Sequence, residues 1–294
     1  MAGHNARVDA DPGARPPLVA RIGVVIAGTV VIWGTIFVIA SSLAEQAPAA
    51  RALYAVIACG GAVLLIVWAR RRLDRRPWEG VAFPVRPPSG RALVAGLVAF
   101  VAPAAVGCSV GLATGAVSLT IEAATGEVLA VLATVIVSVL VYEAVPEELI
   151  FRGYIFRNLT TAMAPVAAVA VQAALFTVCG TALWVAGEGW QVFGERVGLF
   201  FAMGVVLGMI RVVSRDVWSC VGFHAAFQVT AQLPATGAVT IDGAWVAFVM
   251  VPPFVVGTAI VSLVMRVRPN WTAREPDRTG GGPPAPRLDS DATS

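Results

Sequence analysis

The chain has 294 residues, of which 57% are hydrophobic and 13% charged, with a formal net charge of +3. A soluble globular domain is nearer a quarter charged, so this chain cannot cover itself with polar surface, and lipid is its expected solvent. The net charge is too small to suggest nucleic-acid binding, and no basic stripe with interleaved aromatics is visible, so no nucleic-acid partner is expected.

Residues 1–20 are polar and carry Pro12, Pro16 and Pro17, so a disordered tail is expected there. The first apolar stretch, Ile22–Leu43, exceeds the core of a cleaved signal peptide and reads as a true span. A helix needs about 20 apolar residues to cross the bilayer. Further spans are expected at Ala52–Ala69, Ala92–Leu119, Val128–Val145, Met163–Ala186, Val197–Val213, Val217–Leu233 and Ala244–Met265. From Arg266 the chain is rich in Pro, Gly, Asp and Arg and reads as a second tail. The fold class is therefore all-α, a polytopic bundle of about eight transmembrane helices.

The 21 basic residues are all arginine, and their placement sets the orientation. With the N-terminus in the cytoplasm, the inner segments hold Arg7, Arg15 and Arg21, then Arg70, Arg71, Arg72, Arg75, Arg76, Arg86 and Arg91. They also hold Arg152, Arg157, Arg211, Arg215, Arg266 and Arg268. The outer loops hold only Arg51 and Arg196. This asymmetry predicts that both termini are cytoplasmic. It also implies a multi-pass protein of the cell membrane with the bilayer as its first partner.

Cys59, Cys108, Cys179 and Cys220 lie inside apolar runs without a C-x-x-C pair and read as small buried hydrophobes. Gly107, Gly111 and Gly115 on the third span, and Gly204 and Gly208 on the sixth, have the spacing that lets helix backbones approach closely in lipid.

The chemically loaded segment is Tyr142-Glu143-Ala144-Val145-Pro146-Glu147-Glu148-Leu149-Ile150-Phe151-Arg152-Gly153. Carboxylates at membrane depth are costly and default to a functional role. Pro146 would kink the span or open a new helix, with Glu147 and Glu148 in its first turn. Glu148 and Arg152 are four apart and can pair on one face. Glu147 is rotated about 100° away, free to act as a general base on water. Glu143, one turn earlier, is placed to share a proton with it.

Glu147-Glu148-Leu149-Ile150-Phe151-Arg152-Gly153 resembles the first motif, E-E-x-x-x-R, of the CPBP (CAAX protease and bacteriocin-processing, or ABI) family, which includes the type II CAAX prenyl endopeptidases. The family continues with F-x-x-x-H one span later and H-x-x-x-N near the end of the core. The similarity runs over Val128–Leu233 and includes Phe201–Gly208 and Asp216-Val217-Trp218-Ser219. It implies an organisation of N-terminal transmembrane helices over 21–125, an intramembrane protease core over 126–235, a last helix over 236–268 and a tail over 269–294. It further implies an endopeptidase acting near the cytoplasmic face of a bacterial membrane on a peptide or membrane-protein substrate. The family's substrates include prenylated C-terminal peptides and bacteriocin leaders.

Residue by residue, the resemblance gives Glu147 the attacking water, and gives Glu148 with Arg152 the task of holding the site. His224 takes the third motif's histidine, with Gln228 where asparagine is usual; four apart on one helix, both would face a developing oxyanion. The second motif departs: Phe176 is present, but Gly180 stands in place of histidine. A zinc site through Glu147 and His224, with Glu143, is the metal set the chain offers. A catalytic zinc normally takes three protein ligands. The missing histidine also raises an alternative, a catalytically inactive relative serving as a membrane binding, immunity or regulatory partner. A transporter using the glutamates as a proton relay ranks last, because inverted repeats expected of that class are not visible.

Overall fold

The computed structural model describes residues 15–42, 48–84 and 89–275. Within them lie eight long helices: α1 (Leu18–Ser42), α2 (Pro48–Ala69), α3 (Ser89–Thr114), α4 (Thr125–Ala162), α5 (Pro165–Glu188), α6 (Phe193–Ser214), α7 (Val217–Gln232) and α8 (Val251–Met265). Seven spans among the described residues are long and apolar enough to cross a membrane. The remaining helix, α7, has 16 residues and reaches only about 24 Å, whereas the π turn Val246–Met250 extends α8 to a 20-residue span. The all-α, polytopic architecture is as the apolar runs predict.

Two elements differ from the sequence expectation. The expected third span ends early, at Thr114, and Val117–Ile121 forms a strand, β1, antiparallel to β2 (Val239–Gly243). This ribbon joins the α3–α4 and α7–α8 connections at one end of the bundle. Second, Pro146 neither ends the fourth span nor opens a new one. α4 runs unbroken for 38 residues, with π-helical turns at Val139–Ala144 and Leu149–Ile155 flanking one α-turn, Val145–Glu148. A π turn widens the helix and is a known way to absorb a local break in its ladder.

Most of the expected N-terminal tail lies outside the described residues, though 18–20 belong to α1. Of the expected C-terminal tail, residues from 276 on lie outside them, whereas 269–275 pack on the protein. There the Val166 amide donates to the Trp271 carbonyl, the Glu275 amide to the Thr160 carbonyl, and Arg157 Nη1 pairs with Glu275 at 3.2 Å.

α7 is the central helix. It packs along α3, and α3 in turn along α8; α5 pairs with α6. Glycines make the first of these contacts close. A Cβ on Gly96 would stand 2.0 Å from the Ser219 carbonyl oxygen, and one on Gly222 would stand 2.3 Å from that of Leu93. Gly107 meets the Phe248 carbonyl and Gly204 the Ala173 backbone in the same way, so close packing is the role of these glycines. Gly222→Ala is expected to push α3 and α7 apart and cost about 1–3 kcal/mol. A lowered unfolding temperature in detergent, with Gly60→Ala in open space as the neutral control, checks it.

At the end opposite the ribbon, a buried ionic cluster ties three helices together. Asp74, wholly buried in the π turn after α2, accepts from Arg21 of α1 at 2.9 Å and from Arg70 at 2.8 Å. It also accepts from the Tyr154 hydroxyl at 3.0 Å and the Asn158 amide at 3.2 Å, both on α4. Arg21 also donates to Asn158 Oδ1 at 2.6 Å. Both arginines read from sequence as loop charges are buried here.

Candidate active site

The site forms where α4 crosses α7, with α5 and α6 closing one side. The α-turn between the two π turns carries Glu147 and Glu148, and the π turns decide what the flanking charges face. Glu143 sits in the first, Arg152 in the second.

Glu148 and Arg152 form the expected pair. Arg152 Nη1 donates to Glu148 Oε1 at 2.9 Å, and both side chains are wholly buried. The guanidinium lies over the Phe176 ring, 4.3 Å from its centroid, and donates to the Met203 carbonyl at 3.4 Å. Arg152's own carbonyl, in the widened turn, accepts from Arg211 Nε of α6 at 3.2 Å. Gly153 follows because a Cβ there would lie 2.6 Å from Val81 Cγ1. A buried charge survives only when paired in this way.

His224 joins the same carboxylate. Its Nδ1 is 2.8 Å from Glu148 Oε1, and its Nε2 is 4.0 Å from Glu147 Oε2. The first contact fixes the ring, and the second is too long for a direct hydrogen bond and leaves room for a bridging oxygen. His224 is 2% exposed, whereas the Glu147 side chain is 22% exposed. One glutamate is thus locked as structure and its neighbour is open to a reactant.

Gln228 and Glu143 are brought together rather than aimed at the gap. Gln228 donates its amide to Glu143 Oε2, and Gln232 donates to Glu143 Oε1 at 2.9 Å. Sequence reasoning placed Glu143 as a proton partner of Glu147 and missed Gln232, although its spacing of four from Gln228 and eight from His224 was visible. It also missed Arg211 and the Asp74 cluster.

Phe200 of α6 occupies the place opposite Gly180. A Cβ on Gly180 would lie 2.8–3.0 Å from three atoms of the Phe200 ring, which also packs edge-on against Phe176 at 5.5 Å. The apolar ring fills the space that a side chain at position 180 would need.

The donor set does not fit a catalytic zinc. Among the described residues no three His, Cys, Asp or Glu side chains group so as to hold a metal ion. His224 spends Nδ1 on Glu148, Glu143 is turned to the two glutamines, and only Glu147 and His224 Nε2 remain. Two donors fall short of the usual three.

Residues 128–230 match the family described as type II CAAX prenyl endopeptidase Rce1-like. No curated protein and no solved structure matches the chain.

Proposed function

We propose that this chain, of which residues 128–230 match the type II CAAX prenyl endopeptidase Rce1-like family, is an intramembrane endopeptidase in which Glu147 activates the attacking water. The observation that carries this reading is the 4.0 Å gap between the accessible Glu147 carboxylate and His224 Nε2. Water held there gives its proton to Glu147 and attacks the scissile carbonyl. His224, oriented by Glu148 and Arg152, faces the oxygen on which charge develops. Burial of Glu148 and Arg152 keeps that orientation from relaxing. The orientation that the arginine distribution predicts, with both termini cytoplasmic, puts the reaction toward the cytoplasmic half of the membrane.

The test is cleavage of a membrane-embedded peptide library by the purified full chain, read by mass spectrometry. Cleavage by the wild type, absent in Glu147→Gln and unchanged by chelator, is the expected result. Chelator sensitivity would overturn the metal-free form of the mechanism. Cleavage that persists in Glu147→Gln would overturn the role of that residue.

A second reading, an inactive homologue acting as a binding or immunity partner, is favoured by one observation: the Phe200 ring against Gly180. On that reading the wild type cleaves nothing. Gly180→His alone would collide with Phe200 and cost about 1–3 kcal/mol. Gly180→His with Phe200→Ala opens the space for the imidazole and is expected to create cleavage where the wild type has none. Equal inactivity of wild type and double variant, beside a working relative, would leave the binding role as the whole function.

A further inference from the structure

We infer that Glu143 is a positioning residue which, through Gln228 and Gln232, locks α7 in the rotation that aims His224 at Glu147. The inference rests on the reading of Glu147 and His224 as the reacting pair. Both oxygens of the Glu143 carboxylate are engaged, Oε2 by Gln228 and Oε1 by Gln232, so the group bridges two successive turns of α7. His224, Gln228 and Gln232 stand at spacing four and share one face of that helix. Glu143 lies one turn before Glu147 on α4. The clamp therefore joins the two reacting helices one turn from the reacting atoms.

The need for it follows from the number of imidazoles. His224 is the only histidine among the described residues, so the site described here rests on one ring. Side-chain tips lie about 6 Å from a helix axis, and a 20° roll of α7 moves His224 Nε2 by about 2 Å. A misplacement of about 1 Å can cost roughly 10²-fold in rate. The Glu148 contact fixes the ring on its own side chain, the α3 packing holds the first half of α7, and a second tie, off the ring, restrains its roll beyond His224. Glu143 supplies that tie, and it accounts for glutamine at 228. Asparagine would end one methylene, about 1.5 Å, short of Glu143.

The test uses the full chain in detergent micelles with ¹⁵N-labelled histidine, in a His4→Gln background so that only His224 is observed. One sharp set of imidazole resonances is expected for the unsubstituted clamp. Glu143→Ala and Gln232→Leu are expected to split or broaden that set and to lower kcat about 10–100-fold at unchanged KM. Glu143→Gln, which keeps the reach but only one of the two acceptor oxygens, is expected to fall between wild type and Glu143→Ala. Gln228→Asn carries the same test if the other variants fail to fold. An unchanged imidazole spectrum, or an unchanged kcat in a protein that cleaves, overturns the inference. If the wild type cleaves nothing, the proposed function fails while the spectrum still decides the clamp.

Discussion

Glu147→Gln is expected to lower peptide cleavage by roughly 10²–10⁴-fold while leaving the unfolding temperature in place. Glutamine has the shape of glutamate but cannot take a proton from water. The substitution costs the fold little, because Glu147 is part-exposed and reaches His224 only across 4.0 Å. Its neighbour behaves oppositely. Glu148 is wholly buried and holds both Arg152 and His224 on one oxygen. Glu148→Gln strips the partner from a buried guanidinium and is expected to lower stability by about 3–5 kcal/mol, and activity with it. Parallel measurements of released peptide and of thermal unfolding separate the two. Retention of more than a tenth of the rate in Glu147→Gln would place the base elsewhere.

Asp74→Ala is expected to cost about 3–5 kcal/mol, because it leaves Arg21 and Arg70 buried without their shared counter-charge. It also strips the acceptor from Tyr154 and Asn158, which anchor α4 within the two turns that follow Arg152. Replacing the whole set with apolar residues of similar volume, Arg21→Met, Arg70→Met and Asp74→Leu together, should cost much less, since no lone charge remains. Unfolding in detergent, followed for both variants, gives the comparison. Equal losses would mean that Asp74 acts through packing rather than charge.

The helix count was legible because the length of an apolar run is the strongest signal a membrane chain carries. The Glu148–Arg152 pair was legible too, since spacing four sets it without help from the rest of the fold. What escaped was decided by neighbours far away in sequence. Pro146 reads as a helix break, yet α4 continues, with Arg211 of α6 capping a carbonyl of the second π turn. Arg21 and Arg70 read as loop charges until Asp74, the lone acid in Arg70-Arg71-Arg72-Leu73-Asp74, is seen against Tyr154 and Asn158. The two strands hid inside and beside apolar spans, with only the short alternation of Val117–Ile121 to mark them. Gly180 reads as a simple loss of histidine, and only Phe200 across the helix pair shows what took the space.

The contacts of residues 271–275 with Arg157, Thr160 and Val166 set an order of assembly. These residues leave the ribosome after all the helices described above. The far end of α4, laid down more than a hundred residues earlier, therefore gains these hydrogen bonds only once residue 275 has been made. A chain stopped short of Trp271 would therefore enter the membrane with that end of the helix carrying Glu147 unfinished.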